Sequence, residues 1–405
     1  MKVAIISTFP PYECGIAEYC HFLINKMQER TDSLYIFAPH NCLPQASKRR
    51  IKVIPCFRPG APDYSQMIET IAFNAPYDVI HIQHEYAIFG KEKAILDFLH
   101  RAQKLSQLLC ITLHTPIHSL HPDQSLRTLQ KEMIELADGI FVHSSLAEYE
   151  LWQQGSDLRK IFMVPHGTYI NRFRKNRDVF KFIIGAKIDL NKVFVVVIPG
   201  FLRWDKGITD LLNIAQAISY EFPDTIIIVA GKFQASDSEL KLLQQSVAEV
   251  SKNSEKVYFA RNFLDRKELL RYLAAADAIL LPYKEWPGHV GVSGVLHLAM
   301  GSLKPILASR VPRLVEYTEF FPELSFAPGD LDGLMSAFCL LRENYTSISR
   351  KIKRLLVPFV LKTSWTVTAE KHIDIYRQLM KRKYLPLQPH RTAQSQRPAH
   401  CKRVV

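Results

Sequence analysis

The sequence predicts an α/β protein built as two Rossmann-like doubly wound domains facing a central cleft. Three observations carry that prediction. Short apolar runs rich in β-branched residues, such as Val3–Ser7, Val193–Ile198 and Thr225–Gly231, read as parallel strands buried on both faces. They alternate with segments of helical apolar spacing, the pattern of βαβ units. The series also runs twice: from Asn171 to Lys192 the periodicity weakens and charge rises, and then a second α/β series begins. In such sheets ligands sit at the carboxyl ends of the strands, so two units in one chain form a cleft between their ligand-bearing loops.

In the first series Val3–Ser7 runs into a Pro- and Gly-containing loop, Thr8 to Gly15. A helix follows from Ile16 to Met27, with Ile16, Tyr19, Cys20, Leu23 and Met27 at helical spacing. Ser33–Phe37 and Ile51–Pro55 read as strands, Tyr64–Phe73 as a helix, and Asp78–Gln83 as a strand ending at His84-Glu85-Tyr86. Helix Lys91–Leu105, strand Leu109–Leu113, helix Asp123–Ala137, strand Gly139–His143, helix Ser145–Gln154 and strand Ile161–Pro165 complete the unit, which closes on His166-Gly167. The second series runs strand Val193–Ile198, helix Ile208–Tyr220, strand Thr225–Gly231, helix Ser236–Lys252, strand Lys256–Phe259, helix Asp265–Ala275 and strand Ala278–Leu281. After the glycine-rich stretch up to Pro305 come strand Pro305–Ala308, helix Val311–Tyr317, a short apolar Leu324–Ala327 and helix Asp330–Asn344.

The chain is organised around Leu280–Pro305, LLPYKEWPGHVGVSGVLHLAMGSLKP. Pro282 ends a buried strand, a loop carries Gly288, Gly291, Ser293 and Gly294, and a short apolar helix starts at about Val295. Strand, glycine-rich turn and helix N-terminus together make an anion cradle, because unpaired N–H groups and the positive end of the helix dipole face the loop. The alternative is a tight strand-to-helix turn with no ligand. A second candidate loop, GFLRWDKG at Gly200–Gly207, follows a buried strand and carries Arg203 and Lys206. An Arg fork and a Lys point charge together suit a diphosphate.

Composition narrows the class. The chain of 405 residues has room for two or three domains, and 52 Lys and Arg against 39 Asp and Glu give +13, which favours anionic partners. No nucleic-acid-binding motif is visible, so no nucleic-acid partner is expected. Seven cysteines with no CxxC support neither a disulfide framework nor a zinc site and fit a reducing compartment. No run of 18 apolar residues or signal-peptide pattern is present, so a cytoplasmic protein is expected. The last stretch, Lys381 to Val405, holds seven cations and no acid, reads as disordered, and suggests peripheral contact with an anionic membrane.

Nine segments in order across residues 1 to 380 resemble glycosyltransferases of the GT-B fold, family 4-like: TFPPYECGIAEY, DVIHIQHEY, TLHT, ADGIFVHS, VPHG, PGFLRWDKGI, VAGK, the stretch from Pro282 to Pro305, and PGD at Pro328–Asp330. The resemblance implies an acceptor-side domain over residues 1–178 and a nucleotide-sugar-binding domain over 179–365. It further implies a C-terminal helix over 366–382 crossing back to the first domain, ahead of a basic tail at 383–405. It implies sugar transfer with retention of configuration from a UDP- or GDP-sugar to a sugar or lipid-linked hydroxyl, with no cofactor and no metal. Arg203 and Lys206 match the pair that holds the donor diphosphate; the more usual Arg position is Phe201 here. Gly15 matches a glycine near the donor phosphates, and His114 a strand-end histidine facing the reacting sugar. Gly231, Gly291, Val292, Ser293, Gly294 and Val295 fall in donor-binding segments. His84 and Glu85 stand where acceptor contacts are common, and His166-Gly167 resembles a domain-junction motif. Many members carry two glutamates in the stretch around Val290 and Leu298, where this chain has neither. Glu285 is the candidate for the first, and Glu316 for a further donor contact. A strand-end histidine satisfied by its neighbours is the alternative for His114, and a solvated loop residue the alternative for Glu285. A nucleotide-sugar epimerase of the same fold and a non-catalytic binding protein are the competing functions.

Overall fold

The computed structural model describes residues 1–42, 50–91, 93–185, 188–260 and 264–384. Its first sheet holds β1 Lys2–Ile6, β2 Ser33–Pro39, β3 Ile51–Phe57, β4 Tyr77–His84, β5 Ser106–Leu113, β6 Gly139–Val142 and β7 Ile161–Met163 in the order β3-β2-β1-β4-β5-β6-β7. The second holds β8 Phe194–Pro199, β9 Thr225–Ala230, β10 Val257–Ala260, β11 Ala278–Leu281, β12 Ile306–Ser309 and β13 Ser325–Phe326 in the order β10-β9-β8-β11-β12-β13. Every pairing is parallel. That is why strands such as β8 read as unbroken apolar runs: Val195, Val196 and Val197 are all fully buried, with helices over both faces. Each order reverses once, between β1 and β4 and between β8 and β11. The loops leaving those four strands therefore border the two crevices.

Local signals set most helix starts. Asp123 and Asp330 accept from backbone N–H groups in the first turns of Gln124–Leu136 and Leu331–Glu343. Ser236 with Glu239, and Asp265 with Glu268, form capping boxes on Asp237–Asn253 and Arg266–Ala275. Two expectations are corrected, and one helix is added to them. The helix expected over Val311–Tyr317 is a 3-10 turn, Pro312–Leu314, then one α turn, Val315–Thr318. The Arg313 carbonyl accepts from Ser293 N at 3.2 Å, a bond outside any helix. The stretch after Asn344 is an unanticipated helix, Tyr345–Lys362, which buries Ile348, Ile352 and Leu356 on the second core. The basic tail was expected from residue 383, but Lys381, Arg382 and Lys383 form the last turn of helix Trp365–Tyr384. Residues 385–405, the rest of that expected tail, lie outside the described residues.

Helix Trp365–Tyr384 returns to the first unit. Trp365, Ala369, Ile373, Tyr376 and Leu379 share a core with Tyr19, Phe22, Val79, Cys110 and Phe141. Gly167 makes room for the crossing, since a Cβ there would lie 2.1 Å from the Trp365 ring. His166-Gly167 is thus a packing junction between the units. Among the described residues no helix is long and apolar enough to cross a membrane.

Candidate active site

The loop leaving β8 turns at Gly200, makes a 3-10 turn at Trp204–Lys206 and exits through Gly207. Gly207 has φ +75, and a Cβ there would lie 2.0 Å from the Pro282 carbonyl oxygen. Only glycine combines that left-handed backbone with so close an approach. The contact presses the loop against the one leaving β11, and Lys206 Nζ comes to rest 3.6 Å from the centre of the Tyr283 ring.

Asp205, fully buried, organises the cations. Arg203 Nε donates to its Oδ1 at 2.8 Å, and an Arg313 guanidinium NH donates to its Oδ2 at 2.7 Å. Both guanidinium groups lie over Trp286, at 5.0 and 5.3 Å. Burial by itself would raise the Asp205 carboxyl, but Lys206, Arg313 and Arg203 outweigh it and hold the group below its ordinary value. Burial, and then the charge of Arg313, press the Lys206 amine far below a free lysine, with Asp205 opposing. Three basic side chains share one buried carboxylate in a half-buried place, an arrangement that suits an anion.

The stretch leaving β11 supplies backbone donors beside these charges. Ser293 caps helix Gly294–Gly301, accepting from Leu296 N, and its hydroxyl lies 3.0 Å from that of Tyr283. The N–H groups of the first helical turn, from Gly294 and Val295 on, have no intrahelical acceptor, and Gly294 is exposed. Val295 reaches the Gly200 turn, where a Cβ would meet its Cγ2 at 3.0 Å. Arg203, Lys206, Ser293, Gly294 and Val295 are therefore drawn together. Val292 precedes the cap, half-buried.

Other expected residues lie elsewhere. Gly231 packs behind the cradle: a Cβ there would lie 1.9 Å from the Gly200 carbonyl oxygen, so it shapes the turn that carries Arg203. Gly291 lies at the seam between units, where a Cβ would be 2.7 Å from the His114 carbonyl oxygen. Beside it Val290 joins the first unit's core, and its N–H donates to Pro116 O at 2.8 Å. Glu285 is exposed and makes no ion pair or hydrogen bond among the described residues; Trp286 is the residue of that loop that meets the cations. Glu316 Oε2 lies 2.9 Å from Nε2 of buried His297, whose ring stacks on His166 at 4.5 Å. His166 in turn approaches Gly294.

The first unit forms the opposite wall. His114 Nε2 pairs with Gln83 Oε1 at 2.9 Å, and burial first, then neighbouring His143, keeps its imidazole neutral. Glu85 accepts from Thr115 Oγ1 at 2.6 Å and from Tyr86 N at 3.1 Å. Burial raises its carboxyl, against the pull of those donors and of Arg203 across the cleft. Gly15 opens the helix Gly15–Met27 with free space where a Cβ would stand. Ion pairs Lys232–Glu13 and Arg266–Glu18 span the units. A cavity of about 420 Å³ opens beside them, between Tyr12, Glu13, Cys14, Ala87 and Gln234. Sequence reasoning did not single out Asp205, Trp286 or Arg313; for Arg313 the signal was a basic residue a few positions after a strand's carboxyl end.

Residues 193–344 match the family of glycosyl transferases group 1. That match spans most of the second unit, which resembles a group 1 glycosyltransferase domain, and the chain as a whole has the GT-B fold. The fold is similar to that of sucrose-phosphate synthase from Thermosynechococcus elongatus, with TM-score 0.74 and 18% identity over 94% of this chain and 99% of that one. It is similar also to Anabaena HepE in complex with UDP-glucose, with TM-score 0.71 and 16% identity over 93% and 100%. A trehalose-6-phosphate protein from E. coli bound with UDP-2-fluoro glucose gives TM-score 0.67 and 12% identity over 93% and 99%. No curated protein matches the sequence.

Proposed function

We propose that the chain transfers a sugar, with retention of configuration, from a UDP-sugar to a hydroxyl acceptor. The observation that carries this is the convergence of Arg203, Lys206 and Arg313 on buried Asp205 beside the capped N-terminus of Gly294–Gly301. The diphosphate leaving group gains negative charge as the glycosidic bond breaks. Preorganised cations and N–H groups stabilise that charge more than the ground state. Protein cations carry this work in the proposal, and chelation by EDTA leaves turnover unchanged. The choice of uridine is supported by the UDP-bound and UDP-glucose-bound structures that share the fold. A thermal-shift series with UDP, GDP, ADP and their sugars tests it: UDP raises the midpoint most, and a flat response to all three nucleotides overturns the reading.

Donor binding is linked to protonation. Burial, and then the charge of Arg313, hold the Lys206 amine low; a diphosphate beside it supplies negative charge that offsets both, so binding raises its pKa. Between the free and bound values, binding takes up a proton and UDP affinity falls as pH rises. Calorimetry in buffers of different ionisation enthalpy shows net uptake in the wild type and none in Lys206→Met.

On the acceptor side Glu85 accepts from the incoming hydroxyl. Glu85→Gln is expected to lower kcat/KM for the acceptor about ten- to hundredfold, the worth of one charged hydrogen bond. UDP affinity stays unchanged. Because the Glu85 carboxyl lies above its ordinary range, the wild type loses acceptor turnover as pH falls through that raised value, and Glu85→Gln loses this acid limb.

A further inference from the structure

His166 lies beyond β7, in the segment that joins the two units, and packing at the junction uses only part of its chemistry. The imidazole is fixed from several sides. It stacks on His297 of helix Gly294–Gly301 at 4.5 Å and 21°. Tyr19 meets it at 5.2 Å, Trp365 at 5.5 Å and His143 at 5.7 Å. Rings from both units thus hold it in one orientation. Its Nδ1 is 3.0 Å from the Gly167 carbonyl oxygen, so Nδ1 carries the proton and donates. Burial first, and then neighbouring His297 and His143, keep the ring neutral. Nε2 is left with a lone pair and no hydrogen-bond partner among the described residues. It looks at Gly294, where a Cβ would lie 3.4 Å from it.

The neighbourhood decides what this nitrogen can take. Gly294 opens a helix whose capped N-terminus stands beside the Arg203, Lys206 and Arg313 cations, the place of the donor diphosphate. A lone pair repels phosphate oxygens and accepts only from an N–H or O–H. Next to a bound diphosphate it therefore needs a hydroxyl of one of the groups that the diphosphate joins, the ribose or the transferred sugar. Its first-unit neighbours favour the sugar. Tyr19 and His143 both also meet His114, at 4.8 and 5.0 Å, on the wall across the cleft. His166 thus stands on the side of the diphosphate that looks to the acceptor. The sugar is the group that reacts on that side.

We propose that Nε2 of His166 accepts a hydrogen bond from a hydroxyl of the transferred sugar and so helps to select that sugar. A fixed acceptor that finds no hydroxyl stays unpaired, which counts against a sugar lacking one there. This contact rests on the glycosyltransferase reading and adds a specificity-determining residue that lies outside both glycine-rich loops.

Calorimetry of the full chain with UDP, UDP-glucose, UDP-galactose and UDP-N-acetylglucosamine tests it. In the wild type one of the UDP-sugars binds more tightly than UDP. His166→Phe keeps a ring to stack on His297 and removes the acceptor. It lowers the affinity for that UDP-sugar about three- to tenfold, the worth of one hydrogen bond, and leaves UDP affinity and the thermal midpoint unchanged. His166→Gln sets an amide oxygen near the place of Nε2 and restores most of the difference. A purely structural ring gives the reverse order, with Phe harmless and Gln damaging. Deoxy analogues of the preferred sugar then identify the hydroxyl: one of them loses affinity in the wild type and loses none in His166→Phe. The proposal falls if His166→Phe binds the UDP-sugar as the wild type does, or if no UDP-sugar binds better than UDP. It also falls if His166→Phe loses UDP and UDP-sugar equally, which puts the contact on the ribose or the phosphates. Each of these leaves the transferase reading standing, whereas a wild type that binds no UDP overturns the donor reading and this contact with it.

Discussion

Lys206→Ala is expected to lower kcat/KM by about two to three orders of magnitude, the size seen when one preorganised contact to developing charge is removed. Lys206 is the cation of the three that makes no hydrogen bond to Asp205; its amine rests over Tyr283 and is free to take a phosphate oxygen. The fold survives, because Asp205 keeps both arginines, and taking away one of three mutually repelling cations relieves the site. The thermal midpoint therefore holds or rises while turnover collapses. Lys206→Arg does not restore activity, since a planar fork cannot occupy the place of a compact ammonium above the ring. Single-turnover transfer measured beside thermal unfolding separates the two effects. Wild-type turnover in purified Lys206→Ala would remove the diphosphate assignment.

The parts of this architecture that are local in sequence were legible there. Strands such as β1, β8 and β9 are written as apolar runs because both of their faces are covered. Asp123, Ser236 and Asp265 announce their helices because a cap acts within three residues. Arg203 and Lys206 stand out in the sequence because one short loop holds both. Arg313 does not, because its partner Asp205 is 108 residues away and the turn that carries it looked like a helix. Trp286 and Glu285 are neighbours, and chemistry favoured the carboxylate. In the structure Trp286 lies under the guanidinium groups and Glu285 faces solvent. Gly231 and Gly291 carry no visible mark of their roles, since a close approach to Gly200 or His114 is a fact of three dimensions. Helix Tyr345–Lys362 was overlooked for a different reason: Pro358 near its end disguises the period.

Asp205→Ala is expected to cost about 3–5 kcal/mol of stability, the range for removing one partner from a buried ion pair. The carboxylate is fully buried and touches two guanidinium groups, so its loss leaves Arg203, Lys206 and Arg313 facing one another without their bonded counter-charge. The pH dependence identifies the term. Asp205 titrates below its ordinary value in the folded chain. Its contribution is therefore complete above the unfolded value of about 4 and is lost as pH falls through the lower folded value. The wild type minus variant difference in unfolding free energy should be level at neutral pH and shrink in acid. Asp205→Asn keeps the side-chain size and one acceptor and still loses the charge, so it should show most of the same deficit. UDP supplies the opposite test. In the wild type the diphosphate meets cations already partly neutralised by Asp205, whereas in Asp205→Ala that neutralisation is gone. The UDP-induced rise in thermal midpoint should then be larger in the variant than in the wild type. A smaller rise would mean that Asp205 serves to aim the cations at the phosphates, and that the net positive charge of the site is not what binds them.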